Sequence, residues 1–337
     1  MLPTLIHGWN FSKEIIINIH NRNKLLRVCI DLTDKCDLNC KGCFTKLERT
    51  NLKKANEDTR DFAYYESLLI EAKKLGIKAI DIVGSGEPLL DKNLFKILKY
   101  ANSLDIIPTL FTSGIKLSDS IVKELNTTGS SVFIKLWSLD EKKQDDYTSR
   151  GYTNKRNKAL KNLINNGFND GKTVFIEGNQ YQLTKLGADI LVRKSNIDEI
   201  PDIFRFCRNH NIMPEIKTYI PVGETFEDEL TAEEYILLRN CLKNIDEKEY
   251  GIEMPLTTYP QACDCYQSMA SLYIMQSGNI KNCVGAETII GFYNGESGLS
   301  HAVNNRVEKV GFGCSPRLSY YQNKNDFSKE ISEIYDR

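Results

Sequence analysis

The sequence predicts a parallel α/β sheet, open or partly closed into a barrel, followed by a small C-terminal unit. Three observations carry this. Between residues 26 and 221, short β-branched runs alternate six times with helical stretches, the pattern of consecutive strand–helix units. Three cysteines fall within eight residues just after the first run, and four more are spread over residues 263–314. The alternation stops after Pro221, which sets the second cysteine group apart.

The elements follow in order. "LRVCIDLT" (26–33) reads as a strand, and residues 57–76 show helical spacing ending on Gly76, a C-cap signal. Strand 77–84, helix 92–104 and strand 106–114 come next. Ser118 is the expected N-cap of helix 118–129. Strand 130–139 leads into a polar, helical region over 141–167. Strand 187–193, helix 196–211 and strand 213–221 complete the alternation. Beyond it, 231–247 is an amphipathic helix, and the tail reads as a short surface helix.

Lys and Arg total 44 against 45 Asp and Glu, a net charge of -1. A generic polyanion binder would show a basic surplus, so nucleic acid is disfavoured as a partner. No apolar run approaches the roughly 20 residues of a membrane span, and the N-terminus lacks a secretory pattern. A cytoplasmic protein without membrane contact is expected. There, cysteines stay reduced, so ten of them suggest metal or catalytic sites.

Cys36, Cys40 and Cys43 follow the first strand, where open α/β sheets and barrels place ligands. Three thiolates could hold zinc with a distant fourth ligand, or three corners of a [4Fe–4S] cluster with one iron open. An open iron is useful only if something must bind to it. Cys263-x-Cys265-x17-Cys283-x30-Cys314 suits a closed zinc site or a closed cluster. Between them, "LYIMQSGNIKNC" reads as a hairpin that returns Cys283 toward the first pair. Cys29, Cys207 and Cys241 read as small buried hydrophobes. The four histidines form no spacing motif, and Trp9 and Trp137 read as packing residues.

Cys-x3-Cys-x2-Cys with Phe44 next resembles the signature of radical S-adenosylmethionine (radical SAM) enzymes. The resemblance extends over about residues 25–220. It implies a partial (β/α)6 barrel whose [4Fe–4S] cluster chelates SAM through the open iron. One electron, from an external flavodoxin- or ferredoxin-type reductant, then gives a 5′-deoxyadenosyl radical that abstracts a substrate hydrogen. "GSGEP" resembles the family segment that binds the SAM amino group, through Gly84, Ser85, Gly86 and Glu87, with Ser85 a departure from the usual glycine. By the same resemblance, Ser113, Lys135 and Ser138 lie near SAM or substrate, and Arg193 and Asn196 meet the SAM carboxylate and ribose.

The second cysteine set resembles SPASM or twitch extensions, which hold an auxiliary iron–sulfur cluster. Four cysteines imply one such [4Fe–4S] cluster, with Cys314 either a ligand or a free thiol able to donate hydrogen. The chain departs from GTP cyclases of molybdopterin synthesis, which end in glycines where this one ends in "EIYDR". The implied division is an extension over 1–24, the barrel over 25–225, the auxiliary unit over 226–320 and a tail over 321–337. Only some 25 residues precede the first strand, too few for a fused peptide-recognition domain. A small sugar- or cyclitol-like substrate, oxidised or epimerised at carbon, is therefore expected. A peptide brought by a separate partner and an RNA substrate are the alternatives, and a simple electron carrier would need neither an open iron nor "GSGEP".

Overall fold

The computed structural model describes residues 1–41, 43, 60–149, 151–176, 178–219, 228–253, 267–286 and 288–306. Phe44, Cys263, Cys265, Cys314 and the expected tail helix lie outside the described residues.

The chain opens with β1 (Thr4–Ile6) and α1 (Lys13–Asn21), where Ser12 caps the helix by accepting from the Ile15 amide. Four strand–helix units follow: β2 (Arg27–Ile30) and α2 (Phe62–Lys74), β3 (Ala79–Ile82) and α3 (Leu94–Ser103), β4 (Ile107–Thr112) and α4 (Asp119–Thr127), and β5 (Ser131–Lys135) with α5 (Glu141–Tyr147) and α6 (Tyr152–Asn165). Ser118 caps α4 as expected. The polar stretch 141–167 thus forms two helices. The hairpin β6 (Lys172–Ile176) and β7 (Asn179–Thr184) was not visible in the sequence. Then come β8 (Leu186–Val192), α7 (Ile200–Asn209), β9 (Met213–Thr218) and α8 (Ala232–Ile245), the last opened by a Thr231/Glu234 capping box. The C-terminal part contributes α9 (Gln267–Ala270), β10 (Ser271–Ile274), β11 (Asn279–Lys281), β12 (Ile289–Phe292) and α10 (Leu299–Asn304).

One sheet runs β12-β11-β10-β2-β3-β4-β5-β8-β9. Its six strands β2-β3-β4-β5-β8-β9 are all parallel, the partial (β/α)6 barrel that the alternation and the family resemblance implied. The C-terminal strands are not a detached layer. β10 pairs in parallel with β2, Leu272 opposite Val28, and β11 returns antiparallel beside it. The hairpin read from "LYIMQSGNIKNC" therefore forms and widens the barrel wall.

Alternation divides each strand between two faces. Val28, Ile30, Ile80, Ile82, Leu110, Val132, Ile134 and Ile190 enter the main core with the helices. The other face is concave and carries charge: Arg27, Asp81, Lys135, Asp189, Glu215 and Lys217. The N-terminal segment closes the strand-start end. Trp9 stands edge-on to Phe111 and Phe133 at 5.1 and 5.2 Å, and those two rings stack at 4.4 Å. Arg27 donates to the Trp9 carbonyl at 2.5 Å, and Ser131 Oγ to the His7 carbonyl at 2.8 Å.

Candidate functional site

The site is built from the loops at the C-terminal ends of the parallel strands. The loop after β2 carries Cys36, Cys40 and Cys43, which pack on one patch with Leu38, Trp137, Tyr147 and Tyr152. Its backbone is held from several directions. The Lys41 amide donates to the Tyr147 carbonyl at 2.9 Å, and the Asn39 amide to Ser149 Oγ at 3.2 Å. Arg193 Nη2 donates to the Lys41 carbonyl, and the Glu87 amide to the Lys35 carbonyl at 2.7 Å.

Lys135, the last residue of β5, donates to Cys40 Sγ at 3.6 Å and lies 4.1 Å above the Trp137 ring. Burial works against its charge, but Cys40, Asp189, Cys43 and Cys36 outweigh that and hold its pKa above the usual lysine value. All three thiols are therefore within electrostatic reach of one ammonium. Among the described residues, no three His, Cys, Asp or Glu side chains already converge as a ligand set. Convergence of thiolates is itself coupled to metal binding, because each ligand must lose its proton. Three soft donors on one loop beside a cation fit a cluster corner set.

The "GSGEP" segment crosses directly over that loop. A Cβ on Gly86 would lie 2.3 Å from the Lys35 carbonyl oxygen and 2.4 Å from that of Thr33. Gly84 has φ +142°, and a Cβ there would meet Asp31 Oδ1 at 2.4 Å. Glycine alone permits this approach. Ser85 Oγ donates to Asp31 Oδ2 at 2.7 Å, and Tyr273 OH donates to the same oxygen at 3.3 Å. Glu87 turns inward. It accepts from Thr112 Oγ1 at 2.5 Å, the Ser113 amide at 2.7 Å and the Leu89 amide at 3.3 Å. Burial is the main cause that raises its pKa, with those hydrogen bonds opposing.

Other expected residues also act as braces. Ser138 is fully buried; its amide donates to Gln144 Oε1 at 3.0 Å and its hydroxyl to Glu199. Asn196 donates to the Trp137 and Leu191 carbonyls, both at 2.9 Å, and accepts from the Arg193 amide at 2.7 Å. Arg193 is 2% exposed, ringed by Trp137, Tyr147 and Tyr219 at 5.0–5.4 Å, with Asp228 at 3.6 Å. Its guanidinium holds the cysteine loop. The Ser113 carbonyl accepts from Tyr152 OH at 2.7 Å.

Cys283 lies elsewhere. In the β10–β11 register Tyr273 faces Lys281, and Ser271 faces Arg27 on β2. Two residues past Lys281, the chain has returned toward the start of β2. Cys283 is there within electrostatic reach of Cys29, whose pKa is raised by burial first, then by Asp81 and more weakly by Cys283. The two thiol-bearing segments thus stand at opposite ends of the barrel wall.

Asp31, Tyr273, Asp189, Glu215 and Lys217 were missed in the sequence. A signal was present: "CID", "AIDI", "ADIL" and "PEIK" each set a charge inside an apolar strand. Parallel strands covered on both faces read as continuous apolar runs, so these interruptions mark a polar concave face. Two surface hollows, about 470 and 740 Å3, lie against α8 and beside α5; Asp146, which lines the second, pairs with Lys41 of the cysteine loop at 2.8 Å. Among the described residues no helix is long and apolar enough to cross a membrane.

Comparison with known proteins agrees with this geometry. Residues 30–178 match the radical SAM superfamily model. A protein named "Probable GTP 3',8-cyclase" from Methanocaldococcus jannaschii is 24% identical over 275 residues, 76% of this chain and 83% of that one. A PqqA peptide cyclase from Xanthomonas oryzae pv. oryzae is 30% identical over 104 residues, 31% of this chain and 27% of that one. Among solved structures, Streptococcus suis SuiB bound to S-adenosylmethionine superposes with TM-score 0.61 at 17% identity. That match covers 78% of this chain but only 61% of the SuiB chain, and at this identity it speaks for the fold alone. The chain thus carries a radical SAM superfamily domain over residues 30–178, the domain of a superfamily that binds a [4Fe–4S] cluster and S-adenosylmethionine.

Proposed function

We propose that this enzyme cleaves SAM at the cysteine-loop end of the barrel and acts on a small polar molecule held against the concave face, oxidising or epimerising it at carbon. Cys36, Cys40 and Cys43 would hold the cluster, which would supply the electron for SAM cleavage and with it the means of taking a hydrogen from substrate. The chain's own groups arrange the rest. Lys135 balances thiolate charge. Gly84 and Gly86 let backbone come close enough to take the SAM amino group. Trp9, Phe111 and Phe133 close the floor against water. A flavodoxin- or ferredoxin-type partner would deliver the electron.

The observation that carries this reading is the placement of Cys283 near the start of β2, across the barrel wall from the first three cysteines. Cys263, Cys265, Cys283 and Cys314 would hold a second cluster able to accept the electron that the substrate, after hydrogen abstraction, gives up together with a proton on becoming oxidised. If Cys314 is free instead, its thiol could return hydrogen to the substrate, giving epimerisation. Modification of a ribosomally made peptide is the second reading. The partial match to a PqqA peptide cyclase and the fold likeness to a SuiB structure bound to its precursor peptide SuiA favour it.

Iron counting tests the proposal. The anaerobically reconstituted wild type should hold about eight irons, falling to about four in the Cys36/Cys40/Cys43→Ala triple variant. SAM should yield 5′-deoxyadenosine only where the first site is intact. About four irons in the wild type, all lost in the variant, would remove the second cluster and with it the electron-acceptor route.

A further inference from the structure

We infer that the concave face of β5, β8 and β9 is the substrate subsite, that Lys217 and Asp189 anchor its occupant above the Phe111 ring, and that the occupant is a compact metabolite without net negative charge, a neutral polyol or a zwitterion. The inference rests on the radical SAM reading and gives that site its substrate class.

Alternation places Phe133 and Lys135, Gly187 and Asp189, and Glu215 and Lys217 on one face, while Ile134, Ile190 and Ile216 point into the core. Lys217 Nζ lies 2.9 Å from Asp189 Oδ1 and 4.2 Å from the centre of the Phe111 ring. Glu215 Oε2 accepts from Trp9 Nε1 at 2.8 Å. The floor is fitted from below: a Cβ on Gly187 would lie 2.3 Å from the Phe133 ring, so only glycine lets that ring lie flat across β8. Trp9 and Phe133 are closed off, whereas Phe111 is part-exposed.

The charged pair is more than a stabilising device. Charges inside a barrel lose hydration, and an apolar pair of similar volume would usually serve the fold as well or better. The side chains of Lys217 and Asp189 remain 38% and 21% accessible, although they sit on the concave wall. A part-exposed aromatic ring with a few convergent donors and acceptors is the usual make-up of a small-molecule site.

The charge balance selects the occupant. Lys217 is matched by Asp189, Glu215 adds a second carboxylate, and Lys135 is engaged with the cysteine loop. Among the described residues, this face has no cation surplus of the kind that a nucleoside triphosphate demands. An ammonium and a carboxylate 2.9 Å apart instead offer a donor and an acceptor to neighbouring hydroxyls, or to both ends of a zwitterion.

The test uses the reconstituted full chain with SAM and dithionite, following 5′-deoxyadenosine. Extract of the source cells is cut by size into small-molecule and macromolecular pools, and the small pool is passed over a strong anion exchanger. The unretained small-molecule fraction should stimulate the reaction. Lys217→Met and Asp189→Asn should each raise the half-saturating amount about tenfold or more. A Lys217→Met/Asp189→Leu double variant removes both charges together, which spares the fold. It should keep its iron and melting temperature but lose the stimulation. Stimulation by GTP alone, stimulation confined to the retained or macromolecular pools, no stimulation by any pool, or a fully stimulated double variant would each overturn the inference. Absence of 5′-deoxyadenosine from every sample with its iron intact would instead strike at the radical SAM reading beneath it.

Discussion

Single residues set the tolerance of this site. Gly86 lies where two backbone strands nearly touch, so even one added carbon must displace the loop that carries the cysteines. Gly86→Ala is expected to cost about 1–3 kcal/mol in urea unfolding, the scale of overpacking, and to lower iron retained after gel filtration. Full iron with unchanged stability would show that the crossing is looser than its geometry. Glu87 illustrates a different constraint. Its carboxylate ties β3 to the end of β4 through Thr112 and Ser113. Arg193, too, works through another group, holding the Lys41 carbonyl between Cys40 and Cys43.

At the scale of elements, the N-terminal segment is a plug. Trp9 fills the strand-start end of the barrel, stacks under the Arg27 guanidinium at 4.4 Å and binds Glu215. Trp9→Ala removes a large buried ring and should cost about 3–5 kcal/mol. Trp9→Phe keeps most of the packing but takes a donor from a buried carboxylate, for about 1–3 kcal/mol. Equilibrium denaturation of both variants checks this ordering, and a loss under about 1 kcal/mol for Trp9→Ala would mean that the segment only rests on the barrel. On the outer side, Arg208 and Asp246 form a fully buried, bidentate ion pair at 2.7–2.8 Å that fastens α7 to the turn after α8.

For the whole molecule, the decisive feature is that β10 joins the barrel beside β2. The Leu26 amide donates to the Ala270 carbonyl at 2.8 Å and the Asp31 amide to the Ile274 carbonyl at 2.9 Å. The wall that holds the first cysteine loop and the hairpin that leads to Cys283 are thereby one hydrogen-bonded unit. Native-state hydrogen exchange should find the amides of β2 and β10 equally slow, opening only with global unfolding. The β6 strand, largely exposed, should exchange far faster. Rapid exchange in β10 with β2 still protected would make the hairpin an independent appendage.

Much of this was legible along the chain. Local periodicity marked the six barrel strands and their helices, Ser118 announced its helix, and the cysteine spacing with "GSGEP" marked the candidate site, because these signals depend on near neighbours. The hairpin β6–β7 escaped because "KTVFIEGNQYQLT" is polar and half-exposed, so it lacks a buried face to imprint a period. Tertiary structure alone decided which polar residues brace and which face the concavity. Ser138 and Asn196 read like ligand groups at strand ends, yet their hydrogen bonds go to Gln144, Glu199 and the Trp137 and Leu191 carbonyls. Asp189 and Lys217 look like isolated charges, yet parallel pairing of β8 and β9 brings them to 2.9 Å. Local spacing along the chain fixed the type of fold and marked the first cysteine loop as the candidate cluster site. The direction and partner of each buried charge depend on strand order and register, which bring together residues far apart in the chain.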